Sequence, residues 1–429
     1  MSLLQQRTTA ASAYEYTRDV YEEYHLRRVI NASGTLTAYG QSAILPAARA
    51  LMTQVGGSFF EMNELHGRAS ALIARVTGAE AGFVTSCAAA GITIAVAACM
   101  AGTDAGRIAQ LPDTTGMKNE VLLQMGHAVD YGAPVEQGIR LAGATVRLVG
   151  TVNYTSRGLL EGACNERTAA AVFVISHHTT QYGYVPLATF VEVAHSRGVP
   201  VIVDMAAEEH MLGQVIATGA DLVIASGHKH FRAPTSGIMA GRMVLIQAAY
   251  AQNRGIGRGM KIGKEGIFGL IAALEEWEQG GYRAAQEAEK RLVQRMVARL
   301  DGIPGLRAQV LWPEPDPYPI MRAKVTVDPA QAGLNAMALS VALAEGDPTI
   351  KTRGHHVEEG YFLLDPFNLS EAEGDFICDR IREIMQWPAA RKAELTAQLA
   401  GLSVADLWAR SGPWPYHAPH GLPITQSTH

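Results

Sequence analysis

The chain has 429 residues, 48% of them hydrophobic and 18% charged, enough for one large domain with a smaller one and too apolar for a disordered chain. Its net charge of −5 offers no bulk attraction to nucleic acid or to an anionic membrane. Four cysteines, Cys87, Cys99, Cys164 and Cys378, stand without metal-ligand spacing or a disulfide framework, which fits a reducing cytoplasm.

Residues 1–60 form an N-terminal segment, and Met1 to Asp19 contains no apolar core of signal-peptide type. A large domain is expected over 61–300. It opens with a helical face of Leu65, Ala69, Leu72, Ile73 and Val76, ended by Gly78. Ala81 to Thr103 is uncharged and long enough to span a membrane. It is Ala/Gly-rich, however, carries Thr85, Ser86 and Thr93, and has no aromatic belt or basic flank, so it reads as strand, turn and buried helix. Strands are expected at Gly82–Thr85, Val121–Leu123, Thr145–Val149, Ala171–Ser176, Val199–Asp204 and Asp221–Ser226, with helices such as Leu187–Arg197 and Glu208–Thr218 between several of them. Continuous apolar strands with crossover helices imply a mostly parallel sheet covered on both faces. Gly237–Gly241 follows too short a turn for a crossover, so it adds an antiparallel seventh strand. A helical period then runs from Gly266 to about Leu300. A small α/β domain is expected over 301–390, with strands Ala323–Val327 and Tyr361–Leu364 and helices at about 335–344 and 370–387, before a tail over 391–429.

In open α/β sheets, ligands bind beyond the carboxyl ends of the strands. One such end reads Ser226-Gly227-His228-Lys229-His230; the preceding strand ends in Asp204, 25 residues earlier, about one crossover unit. The first strand ends in Thr85-Ser86-Cys87-Ala88-Ala89 and opens a helix. A lysine and an aspartate at neighbouring strand ends, with a turn rich in backbone N–H groups, match the needs of pyridoxal 5′-phosphate. The helix start takes the phosphate, the carboxylate keeps a proton on the ring nitrogen, and the lysine forms the Schiff base. Taken singly, Lys229 could be a surface lysine, and Asp204 and Ser86 helix caps; the combination carries the reading. The segment is not a G-x-S-x-G elbow, and no Walker motif or dinucleotide fingerprint follows a strand. The adjacent pair His177-His178 cannot readily face one metal ion.

The sequence also resembles the fold-type I pyridoxal-phosphate enzymes of the selenocysteine-synthase-like branch, and within it the D-glucosaminate-6-phosphate ammonia-lyase group. The stretches that carry the likeness are Ile30–Gly34, Thr85–Gly91, Leu111-Pro112-Asp113, Gly126–Pro134, Ser176-His177-His178, Val203–Glu209, Ala233–Gly237 and Met260–Glu265, within roughly residues 25–385. The resemblance implies that Lys229 is the Schiff-base lysine and Asp204 the partner of the pyridine nitrogen. It implies that Ser86, Cys87 and Ala88 cradle the phosphate with help from Ser226, that His127 stacks on the ring and that His178 lies beside the ring oxygen. His228, His230 and Arg232 flank the lysine where the lyase pattern has small or neutral side chains, so His228 and His230 are candidate proton donors in the substrate pocket. Arg353 falls where fold-type I relatives often hold the substrate carboxylate.

Residues 253–266 hold five glycines together with Arg254, Arg258, Lys261 and Lys264, a basic stretch in an acidic chain. The resemblance places it near a partner subunit's site, so Lys264, and with it Lys261, is expected to contact a phosphate of cofactor or substrate. The implied activity is β-elimination on a hydroxyamino acid or amino sugar acid, giving a 2-oxo acid and ammonia, in a cytoplasmic homodimer or larger homo-oligomer without nucleic-acid or membrane partners. Aldol cleavage, racemisation and transamination use the same lysine, aspartate and cofactor; a selenium-transferase-like enzyme acting on a charged tRNA would need a basic RNA-binding surface, against which the net charge of −5 argues.

Overall fold

A computed structural model describes residues 19–312 and 320–409. They fall into two compact units, one built on Thr35–Ala288 and the other on residues 19–34, Glu289–Trp312 and residues 321–409.

The first unit is organised by a seven-stranded sheet. In chain order its strands are β2 (Ala81–Thr85), β3 (Glu120–Gln124), β4 (Thr145–Val149), β5 (Thr168–Val174), β6 (Val201–Asp204), β7 (Leu222–Ser226) and β8 (Gly237–Gly241), arranged β2-β8-β7-β6-β5-β3-β4. β8 runs antiparallel to both β2 and β7, and the remaining pairs are parallel. The sequence reads as such a sheet because alternate residues serve opposite faces. Leu122, Ala171, Phe173, Val201, Val203, Val223 and Ala225 enter one apolar cluster. Their neighbours Val121, Leu123, Ala170, Val172, Ile202, Leu222 and Ile224 enter the other. The Ala88–Ala101 helix lies in the second cluster, where Gly91 lets it approach β7: a Cβ at Gly91 would stand 2.8 Å from Ile224 Cγ2. Among the described residues, no helix is long and apolar enough to cross a membrane.

Two helical expectations differ in detail. The period from Gly266 to Leu300 is two helices, Lys264–Glu278 and Gly281–Leu300, because Gly280 sits at φ 80°, a left-handed conformation that ends the first. The stretch over 208–218 is a 3₁₀ turn, Glu209–Met211, followed by the short helix Leu212–Ala217.

The second unit contains a three-stranded antiparallel sheet, ordered β12-β10-β9, of β9 (Leu306–Leu311), β10 (Arg322–Val327) and β12 (Tyr361–Leu364). A parallel pair joins β1 (Val29–Ala32) to β11 (Thr349–Thr352), so residues far apart in the chain share this unit. β1 and β11, four residues each and flanked by charge, are not revealed by sequence pattern, whereas β9 is an additional strand whose Leu306, Ala308 and Val310 alternate with Arg307 and Gln309. The Glu371–Met385 helix begins with a capping box in which Ser370 and Glu373 satisfy each other's backbone N–H groups. Beyond residue 388 the Ala389–Gln398 helix carries Lys392, whose buried ammonium donates to Ala332 O at 2.9 Å and Met385 O at 2.7 Å.

Candidate active site

Parallel strands bring the carboxyl ends of β6 and β7 side by side, in the register Asp204↔Ile224. The pairing continues past the strands, with Met205 N donating to Ile224 O at 2.9 Å and Ser226 N to Ala206 O at 3.2 Å. Asp204 is buried, and its Oδ1 has no hydrogen-bond partner among the described residues. Burial raises its pKa to about 6, and the charge of Lys229 opposes that rise. Lys229 is half-buried.

The lysine loop is tightly held. Gly227 N donates to Ser236 O at 2.9 Å, and Ala233 N returns to Gly227 O at 2.9 Å. A side chain at Gly227 would collide with Ser236 Oγ. Arg232 closes the turn at φ 55°, donating its N–H to Lys229 O at 3.0 Å. From the other side, Ser42 Oγ donates to His228 O at 2.7 Å. His228 and His230 are both buried. The Nδ1 of His228 lies against the backbone of Ser236, 3.1 Å from its N and 2.9 Å from its O, and burial lowers the imidazole's pKa. The Nδ1 of His230 is 2.7 Å from Glu209 Oε2.

Ser86, Cys87 and Ala88 form the turn from β2 into the Ala88–Ala101 helix. The cap is Cys87 and not Ser86: its Sγ accepts from Ala90 N at 3.4 Å. Thr85 Oγ1 donates to Cys87 O at 2.8 Å. This turn abuts the start of β8, because a Cβ on Gly237 would collide with the Cys87 carbonyl and Thr85 Oγ1. Ser226, the residue paired with Gly237, is buried beside it.

His127 follows β3. Its Nδ1 accepts from Val174 N at 3.1 Å, so the ring proton is on Nε2, which is buried without a partner among the described residues. The ring packs edge-on against Phe173 at 4.5 Å, and burial lowers its pKa to about 4, keeping it neutral. His178 is exposed, its ring 3.9 Å from that of His177. Lys261 is exposed, and Lys264, first residue of its helix, holds Nζ 6.0 Å from the ring of Phe59. Arg353 belongs to the second unit. Its backbone pairs with Leu363, NH1 donates to Ser33 O at 3.4 Å, and burial, then the charge of Arg322, lowers its pKa against the pull of Asp365.

Four residues near these groups escaped the sequence reading as candidates. Tyr131 is pushed to about 12, first by burial and then by the charges of Asp204 and Cys87, which places it within their electrostatic reach. Glu208 is pushed to about 7 by burial and by Glu209, with the Lys229 charge opposing. Glu209 is fully buried. Arg322, in the second unit, pairs with Asp365 at 2.7 Å. The first three lie inside the stretches Gly126–Pro134 and Val203–Glu209, so the signal was present as motif but not as role.

The model of the SelA family, L-seryl-tRNA selenium transferase, matches residues 66–301. The chain is 42% identical over 375 residues to the D-glucosaminate-6-phosphate ammonia lyase of Salmonella typhimurium, covering 87% of this chain and 100% of that one. It is 39% identical over 372 residues to a 5′-C-glycyluridine monooxygenase-decarboxylase of a Streptomyces species, covering 85% of this chain and 92% of the relative. A solved structure of D-glucosaminate-6-phosphate ammonia-lyase superposes with a TM-score of 0.80 at 41% identity, covering 88% of this chain and 100% of that one. An aspartate aminotransferase of Thermus thermophilus, at 15% identity, TM-score 0.50 and coverage of 85% and 93%, shares the fold alone. That fold is fold type I, with its large, mostly parallel sheet.

Proposed function

Since the chain belongs to the SelA family, we propose that it is a pyridoxal-phosphate-dependent ammonia-lyase. Its substrate is a β-hydroxy amino acid or amino sugar acid such as D-glucosaminate 6-phosphate. The observation that carries the reading is Asp204. A buried carboxylate oxygen without a donor, beside a lysine on the next strand end, is the unfilled half of a contact with a protonated ring nitrogen.

In this reading Asp204 holds the pyridine N–H and Lys229 forms the Schiff base. The N–H groups of the Ser86–Ala88 turn, at the positive end of a 14-residue helix, take the phosphate with Ser226. His127 lies against the ring as a neutral imidazole, and His178 reaches the ring oxygen. Arg353 holds the substrate carboxylate, and Lys264 and Lys261 a phosphate. A homodimer or larger homo-oligomer in the cytoplasm belongs to the same proposal; four free cysteines support a reducing compartment.

The cofactor, when bound, supplies an electron sink for the charge left at Cα. With the cofactor bound, Lys229 would be the base placed to remove the substrate's Cα proton. The departing β-hydroxyl needs a proton. His228, kept neutral by its burial, is a poor source, and His230 has one ring nitrogen engaged by Glu209. Glu208, raised to about 7, is still about half protonated at neutral pH and is the better donor. Loss of water across Cα–Cβ and hydrolysis of the released enamine give the 2-oxo acid and ammonia.

The test is a screen of D- and L-hydroxyamino acids, D-glucosaminate 6-phosphate included, for matched release of 2-oxo acid and ammonia, with Lys229→Ala as control. Release of neither, or equal release by the control, overturns the proposal. The 39% identical relative favours one second reading, oxidative decarboxylation at the same carbon; uptake of O₂ with release of CO₂ in the same screen would select it.

A further inference from the structure

The Asp204 and Lys229 loops are tied together by one buried fork. The carboxylate of Glu209 accepts the backbone N–H of His230 on Oε1 at 3.1 Å, while Oε2 lies 2.7 Å from the His230 ring Nδ1. Neither side chain reaches solvent appreciably, at 0% exposed for Glu209 and 5% for His230. Glu209 is five residues beyond Asp204, and His230 is the residue after Lys229. Both anchors are rigid. Glu209 opens the 3₁₀ turn that leads into the Leu212–Ala217 helix, whose Leu212 and Val215 are core residues. His230 precedes Phe231, buried in the same core.

A buried hydrogen-bonded pair of this kind adds little net stability over an apolar pair of the same shape. What it provides is geometry. Two bonds to one residue, one to its amide and one to its ring, fix both the path of the chain and the rotation of the side chain. The amide belongs to the peptide bond that leaves Lys229, so the carboxylate sets where the lysine Cα points. With Nδ1–H donating to Glu209, the fork also fixes the imidazole tautomer.

We propose that Glu209 is a positioning residue: through His230 it holds the Lys229 ε-amino group in register with Asp204 for reaction, as the free amine, with the cofactor's carbonyl. This rests on the reading of Lys229 given above. A misplacement of about 1 Å at a reacting atom can cost about 100-fold in rate, so the effect is measurable apart from turnover.

The experiment mixes cofactor-stripped full-length protein with pyridoxal phosphate and follows the rise of the imine absorbance and its visible circular dichroism. Thermal unfolding is measured in parallel. Glu209→Ala, which removes both bonds, is expected to slow imine formation by about 100-fold and to flatten the dichroic band. His230→Ala, which keeps the amide bond, falls between it and the native protein. Glu209→Gln retains an acceptor for the amide and can donate to the other tautomer, so it recovers most of the rate. If Glu209→Ala does not fold, the order of the other two carries the test. Native rates and dichroism in folded Glu209→Ala, or in both other variants, would overturn the proposal, as would a loss in His230→Ala larger than in Glu209→Ala. An imine band that persists in Lys229→Ala would instead reject the reading of the lysine.

Discussion

The two ends of the same parallel strands treat buried charge in opposite ways. At the amino ends, Asp221 just before β7 accepts from Val201 N at 2.8 Å, pairs with His195 at 2.7 Å and receives Arg242 at 3.1 Å. Glu120, first residue of β3, accepts from Asn165 at 2.6 Å and pairs with Arg147 and Arg167; these bonds, the one from Asn165 foremost, lower its pKa. At the carboxyl ends, Asp204 and His127 are as deeply buried, yet Asp204 Oδ1 and His127 Nε2 have no partner among the described residues. Asp221 and Glu120 are saturated and serve the scaffold, whereas Asp204 and His127 keep open polar atoms where the site is proposed. Open polar atoms cost stability and become useful only when a ligand completes them.

The contrast breaks first at Lys229. Lys229→Ala should remain folded by circular dichroism yet lose about 10²–10⁴-fold in elimination rate, the worth of a positioned base; a loss below tenfold would take the lysine out of the reaction. The scaffold end is tested next. Asp221→Ala leaves the buried Val201 amide, and the half-exposed Arg242 and His195, without their acceptor and should cost about 1–3 kcal/mol in urea unfolding. A cost below about 1 kcal/mol would erase the distinction between the two edges.

Asp204 sharpens the comparison through pH. Its pKa is raised from 3.8 to about 6 in the folded chain, so folding disfavours its charged form. The penalty is absent below pH 4, grows from there to pH 6 and is complete above, at about 3 kcal/mol. Cofactor-free protein should therefore lose stability over that window relative to Asp204→Asn, and pyridoxal phosphate should abolish the difference. Parallel stability curves for the two proteins would count against the open-contact interpretation.

Smaller effects test the cations away from the sheet edge. Arg353→Lys cannot reproduce a bidentate fork and should raise KM about tenfold, near 1.4 kcal/mol; an unchanged KM would leave Arg353 to its bond with Ser33. Lys264→Ala should weaken affinity for a phosphorylated ligand a few-fold, more at low salt than at high. Salt-independent affinity would return Lys264 to its place over Phe59.

Periodicity was sufficient for the large sheet. Apolar runs bounded by turn residues, each followed by a crossover helix, leave little choice but parallel strands covered on both faces, and the short turn before Gly237 made β8 antiparallel. The positions of Lys229 and Asp204 were legible for the same reason, since a strand's carboxyl end can be located from where its apolar run stops. Short pairings such as β1 with β11 were not, because they join residues more than 300 apart and neither strand carries an alternating pattern of its own.

The chain alone thus determined which residues stand at strand ends and what chemistry that set can perform. Only the tertiary structure decided their states. Whether Asp204 is saturated like Asp221 or left open, whether His228 is charged or neutral, and whether His230 faces a substrate or a carboxylate depend on what other elements bring against them. Glu209 meets His230 across 21 residues, and the Ser236 backbone meets His228 across eight. Burial and partner geometry, which set these pKa values and tautomers, are properties of packing between segments, and no local pattern in the sequence encodes them.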